Sequence, residues 1–218
     1  MHIAFKYEIF PTAEQRALLP QLYGNVRFVW NKALEMRRKV HDAYGYWPNY
    51  EEMAAWLPGW KVDYPFLELG DSTSYQQTLL HLSKAIKDYF KSKLGLRKGP
   101  KLGFPKRKRR KNRWSYKTVS KSVKIENGKI YLPKLDLVEI RQHRPLQGKF
   151  VSATVSTDKD GRCFVSICCN VNKIESLPKT GRIGAFDLGL KNYATSNEGE
   201  KYQGYKLNKK TEDHLAGW

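Results

Sequence analysis

The sequence is short of acid: its 218 residues hold 21 Asp+Glu against 40 Lys+Arg, a formal net charge of +19. Between Tyr89 and Ile125 there is no acidic residue at all. That imbalance exceeds what solubility requires and points to a polyanionic partner, nucleic acid first. Cysteine is scarce too, with only Cys163, Cys168 and Cys169. They share one alternating stretch, where neighbours face opposite ways, which argues against a disulfide framework and against a paired Cys-x-x-Cys zinc site. They are expected to be small apolar side chains in a reducing compartment. No apolar run approaches the length of a spanning helix and no signal peptide precedes the first strand, so no membrane partner is expected and the cytosol is the expected location.

What is present supports a folded chain, since 40% of residues are hydrophobic and 13% aromatic. His2 to Phe10 alternates, with Ile3, Phe5, Tyr7 and Ile9 on one face, and predicts an amphipathic strand closed by Pro11. Thr12-Ala13-Glu14-Gln15 is a capping box that starts a helix, which Pro20 and Gly24 are expected to keep short. A second helix from about Asn25 carries Val26, Val29, Trp30, Ala33, Leu34 and Arg37 at helical spacing. The pair invites the label helix-turn-helix, though any helical hairpin in a core has this form. Asn49 predicts a short helix over Tyr50 to Trp56. Trp47, Trp56 and Trp60 are expected mostly to plug a small helical domain rather than to stack on bases. From Ser72 a longer helix is expected, with Ser74-Tyr75-Gln76-Gln77 read as its capping box and Leu79, Leu82, Ile86 and Phe90 as its buried stripe.

The acid-free interval contains Lys101, Lys106, Arg107, Lys108, Arg109, Arg110, Lys111 and Arg113, followed by Trp114. A charge run is commonly only a solvated face. This one is internal, of one sign and bounded by aromatics, so phosphate tracking with some base stacking at Trp114 is expected of it. Such contacts do not identify the nucleic acid, because Lys and Arg hold phosphates without reading sequence. Beyond it the chain is rich in strand signals, with hairpins predicted at Asn127-Gly128 and at Asp158 to Gly161. Leu177 to Gly181 reads as a linker. Arg182 to Leu190 then reads as a buried strand that delivers Asp187 to an exposed edge, a place where a divalent metal is held in many sites. A hairpin at Asn197 to Glu200 follows, then a helix start over Asn208 to Trp218.

The order of these features resembles the N-terminal half of TnpB, the transposon-encoded RNA-guided DNA endonuclease related to the type V CRISPR effectors. The residues that carry the resemblance are Tyr7 to Thr12 with Glu14-Gln15, Arg27 to Asn31, and Gln76-Gln77. They continue with Gly103 to Lys106, Lys134-Leu135, Arg144 to Lys149, Ala153 to Ser156 and Gly184 to Thr195. The resemblance implies an α+β chain. An antiparallel, barrel-like wedge domain (1–10 and 96–180) would be interrupted by a helical recognition insertion (11–95). The start of an RNase H-like (RuvC) nuclease domain (181–218) would follow. It further implies guide RNA and double-stranded target DNA as partners, with Gln76 and Gln77 facing a duplex motif and Asp187 as the first catalytic, Mg²⁺-ligating carboxylate.

A two-metal site needs several carboxylates around ions roughly 4 Å apart, and the family takes its other Glu and Asp, with a four-cysteine zinc element, from beyond position 218. A truncated nuclease domain is therefore expected, with its missing C-terminal polypeptide as a possible partner, no zinc site, and no cleavage by this chain alone. Its last forty or so residues are expected to be the least stable, with apolar surface uncovered. Two other readings remain open on the sequence: one half of a split nuclease, and a stand-alone nuclease-inactive binding module such as a repressor-like or ribosome-associated protein.

Overall fold

A computed structural model describes residues 1–110, 114–172, 181, 183–189 and 192–203, with the backbone alone at position 114. The chain forms two compact units, Met1–Lys173 and Ile174–Trp218.

The first unit is mixed α+β. Strand β1 (His2–Phe10) lies inside a seven-stranded antiparallel sheet of order β2-β6-β7-β1-β5-β4-β3. The remaining strands are β2 (Trp114–Thr118), β3 (Lys124–Glu126), β4 (Lys129–Leu132), β5 (Asp136–Arg141), β6 (Lys149–Thr157) and β7 (Cys163–Asn170). The sheet is open, since β2 and β3 each have one neighbour. The alternation read from the sequence holds: Phe5, Tyr7 and Ile9 are buried, as are Cys163, Val165, Ile167 and Cys169 on the adjacent strand. Cys168 turns the other way and is half-buried, and all three thiols are free. The Asn127-Gly128 hairpin forms with both residues at positive φ, 50° and 71°, the geometry that a two-residue primed turn requires.

Between β1 and β2 run three helices, α1 (Ala13–Tyr44), α2 (Tyr50–Asp63) and α3 (Ser72–Lys93), with a 3₁₀ turn over Pro65–Leu69. The Thr12/Gln15 capping box is present, and Gln15 Nε2 also donates to the carbonyls of Leu135 and Leu137, at 2.7 and 3.0 Å. This ties the start of α1 to the entry of β5.

Three expectations are corrected here. The helix from Ala13 does not stop at Pro20 or turn at Gly24; α1 runs unbroken for 32 residues. A proline inside a helix costs about 3 kcal/mol. The apolar stripe, however, continues straight past Pro20 through Leu22, Tyr23, Val26, Val29 and Trp30, all buried. Each such side chain contributes roughly 1.5–3 kcal/mol on burial, so continuing the helix wins. Pro20 is exposed, so the carbonyl that lacks its helical bond can be met by water. The second correction is that α2 continues past Trp56 to Asp63, through exposed Pro58, because Leu57 and Trp60 are buried. The third is that α3 is capped by Asp71, whose side chain accepts from the Thr73 N–H, and not by Ser74. Along it Leu79, Leu82 and Ile86 are buried as expected, and Phe90 is half-buried.

In the second unit β8 (Phe186–Asp187), β9 (Ala194–Ser196) and β10 (Lys201–Tyr202) make a three-stranded antiparallel sheet of order β10-β9-β8. The expected buried strand before Asp187 is two residues long and exposed, with Ile183 at 88%, Phe186 at 60% and Leu188 at 72% exposure. An apolar run becomes a buried strand only where another layer covers it. The hairpin at Asn197 to Glu200 forms, with Gly199 at positive φ. The predicted helix over 208–218 and most of the linker over 177–181 lie outside the described residues.

Candidate nucleic-acid interface

The basic run is not a free arm. Its backbone is fastened along α1 at successive points. Phe104 sits among the rings of Trp47 (centroids 5.4 Å apart) and Tyr89 (5.2 Å), with the Arg38 guanidinium 5.2 Å from it. Trp30 Nε1 donates to the Lys106 carbonyl at 3.1 Å. Two residues further on, Asn31 grips both backbone groups of Lys108: Nδ2 donates to its carbonyl at 3.1 Å and Oδ1 accepts from its N–H at 2.8 Å. Leu102 N donates to Ser92 Oγ at 2.9 Å, which fixes the entry of the strap to the end of α3. With the backbone held, Lys101, Lys106, Arg107, Arg109 and Arg110 present their side chains to solvent. The conformational freedom left to lose on binding a polyanion is thereby reduced in advance. Lys111, Arg113 and the side chain of Trp114 lie outside the described residues.

Lys108 differs from its neighbours. The residue as a whole is exposed, but its ammonium rests 4.1 Å over the Trp30 ring, and burial there pulls its pKa below the usual lysine value. On α3, His81 is pulled below the ordinary histidine value, first by burial and then by Lys117, Lys108 and Lys84. Those lysines belong to β2, the strap and α3. The three elements adjoin, since α3 meets β2 through the Thr118-to-Asp71 bond at its N-cap and the strap through Ser92.

Gln76 is exposed and Gln77 half-buried in the second turn of α3. The first turn of the helix is held against the sheet by Asp71. Its Oδ2 accepts from Thr73 Oγ1 (2.6 Å), Ser74 Oγ (2.9 Å) and Thr118 Oγ1 of β2 (2.6 Å). Hydroxyl-to-carboxylate bonds this short are the strong, charge-assisted kind. Beside the strap, α1 and the 3₁₀ turn leave an open groove of about 640 Å³ lined in part by Gln21, Arg27, Phe28, Asn31 and Phe66, so Asn31 belongs to both features.

The other predicted site residue, Asp187, belongs to the second unit and lies at the end of β8, exposed and opposite Thr195. Among the described residues no group of three His, Cys, Asp or Glu side chains is placed to hold a metal ion. Sequence reasoning missed Asn31, Trp30, Phe104 and His81 as parts of the interface. Two stretches that carry the family resemblance, Arg27 to Asn31 and Gly103 to Lys106, were the signal: they are about seventy residues apart and meet face to face.

Residues 1–45 match the family model HTH_OrfB_IS605, described as a helix-turn-helix domain. Over those residues the chain is similar to that family. In this structure the matched residues are β1 and α1, one strand and one unbroken helix. Two curated relatives carry names as putative RNA-guided DNA endonucleases. One, from Streptomyces pristinaespiralis, is 33% identical over 219 residues, covering 98% of this chain and 52% of the relative. The other, InsQ from Escherichia coli K12, is 28% identical over 217 residues with the same two shares. The chain thus spans about half the length of the curated relatives it matches. A solved Cas12f1–sgRNA–target DNA complex aligns with 100% of this chain and 59% of its own at 13% identity, with a TM-score of 0.38, a likeness too loose to carry an argument. Among the described residues no helix is long and apolar enough to cross a membrane.

Proposed function

We propose that this chain is the nucleic-acid-holding portion of a transposon-associated RNA-guided DNA endonuclease. The observation that carries the proposal is the strap: a run of lysines and arginines whose backbone is fastened to α1 and which adjoins α3, itself joined to β2. Guide RNA and double-stranded target DNA are the polyanions it would hold, as the names of the relatives and the charge together favour. Gln76 and Gln77 are proposed to face the duplex, since a glutamine amide on a capped helix has the donor and acceptor that pair with an adenine edge. The wedge, recognition and nuclease divisions at 1–10 with 96–180, 11–95 and 181–218 belong to the same proposal, as does the cytosol of a bacterium or archaeon.

Mg²⁺ is the cofactor the resemblance implies. One exposed carboxylate at Asp187 does not make a site for paired ions, so the described residues do not fit that group and no hydrolytic step is derived from them. The proposal concerns binding.

The test is purification of the chain followed by sequencing of any RNA that accompanies it, with affinity for that RNA measured across salt concentrations. Replacing Lys106, Arg107, Arg109 and Arg110 by Gln should flatten the plot of log affinity against log salt by roughly 0.7 to 0.9 for each phosphate that is no longer neutralised. Recovery of no specific RNA, or an unchanged slope, would count against the proposal.

A further inference from the structure

The carboxylate that caps α3 is also bonded outside the helix. Asp71 Oδ1 accepts from the Thr73 N–H at 3.0 Å, while Oδ2 accepts from the hydroxyls of Thr73, Ser74 and Thr118 at 2.6, 2.9 and 2.6 Å. Thr73 Oγ1 lies 2.8 Å from Thr118 Oγ1, so two hydroxyl protons serve the three contacts among Asp71, Thr73 and Thr118. Thr118 is the last residue of β2, wholly buried, and opposite Ala153 of β6. Its oxygen also accepts from the Ser120 N–H at 3.2 Å. Among the described residues, the side-chain hydrogen bonds that join α3 to the sheet all pass through this one hydroxyl.

A helix cap needs only the bond to the Thr73 N–H. Thr118, from another element 47 residues away, adds nothing to the cap itself. What it fixes is the direction in which the helix faces. Apolar packing alone lets a helix roll slightly in its groove, whereas a hydrogen bond weakens steeply when its angle is lost. Gln76 and Gln77 follow Asp71 in the next turn and a half, within roughly 9 Å along the axis. A side chain about 6 Å from that axis moves about 1 Å when the helix rolls by about 10°. Functional geometry of this kind must be held within about 0.5 Å, whereas a lysine reaches a phosphate as a point charge on a flexible stem. The donors to Asp71 are neutral, so salt that screens the strap leaves this arrangement in place.

We infer that Asp71, Thr73 and Thr118 are positioning residues for sequence recognition. Together they set the roll of α3 against the sheet and so decide how Gln76 and Gln77 meet a base edge, without themselves holding phosphate. The inference rests on the proposal that those glutamines face the duplex, and adds what aims them.

The experiment selects duplexes from a random library with the full chain and the RNA that accompanies it, then measures affinity for the selected duplex and for a scrambled one across salt concentrations. T118V removes the hydroxyl and keeps the shape of the buried side chain. It should lower the ratio of the two affinities by about tenfold, the scale of one paired base contact, with the salt slope and the affinity for the scrambled duplex unchanged. T118S keeps the hydroxyl and should hold the ratio within about twofold of the wild type. T73V, at a half-buried position, should act like T118V, and it decides the matter if T118V does not fold. Q76A/Q77A tests the reading beneath. If T118V and T73V discriminate as well as the wild type while Q76A/Q77A does not, this inference fails and the glutamine reading stands. It fails equally if they weaken both duplexes to the same extent, the result expected of a merely structural bond. If Q76A/Q77A discriminates as well as the wild type, or the wild type shows no preference, the glutamine reading fails and takes this inference with it.

Discussion

His81 lies on α3 among Lys84, Lys108 and Lys117, and burial together with those charges holds its pKa below the ordinary histidine value. The unfolded chain therefore binds a proton at this position at a pH where the folded chain does not. Stability contributed by the neutral imidazole is present above the unfolded histidine value and is lost as pH falls through the folded one. A bound phosphodiester reverses the local field, because a negative neighbour favours the imidazolium. Nucleic-acid binding should then take up a proton, and affinity should rise between about pH 7.5 and 5.5 more steeply in the wild type than in H81Q. Titrations in two buffers of different ionisation enthalpy would measure the proton directly, and no difference between the proteins would remove His81 from the interface. Histidine on a helix gives no such signal in sequence; only the convergence of three elements does.

At the scale of the element, α1 decides the architecture. Capping box, apolar stripe and proline were all legible in the sequence, and local rules alone divided the segment at Pro20 and Gly24. The stripe is continuous because it packs on the sheet and α3, and tertiary burial outweighs a proline penalty of about 3 kcal/mol. Gly24 tests this. A Cβ there would meet only Arg27 Nη2 at 3.9 Å, so Gly24→Ala has room. In an unbroken helix it should stabilise the protein by about 0.5–1 kcal/mol in urea unfolding. A glycine at the turn of a helix-turn-helix would give the opposite sign. The strap obeys the same logic: its charge was visible, but its docking depends on Trp30 and Asn31 from another element.

For the whole molecule, the two units differ in how much they bury. The first has one core in which β1, β5, β6 and β7 combine with α1 to α3. The second holds strands of two, three and two residues and exposes Ile183, Phe186, Leu188 and Tyr193. Local opening is easiest where few apolar contacts are made. Limited proteolysis of the isolated chain should cut first after about Lys173 and leave a resistant core beginning at Met1. A first cut inside the β6–β7 hairpin would contradict that ordering. Contact with a partner that covers the exposed residues should slow the cut.

By itself the sequence determined the charge, the strand alternation, the hairpins at Asn127-Gly128 and Asp158 to Gly161, and the cap at Thr12. These are local: each depends on side-chain size, polarity or φ preference within a few residues. It also determined the family resemblance, through short motifs in a fixed order. Tertiary structure alone decided that α1 is unbroken, that Asp71 and not Ser74 caps α3, and that the basic run lies as a strap on Trp30 and Asn31. It also left the Asp187 strand short and exposed, and paired strands as far apart in the chain as those of Lys6 and Ser166. Those outcomes depend on which surfaces find each other across long stretches of chain, where packing energies of several kcal/mol override local preference.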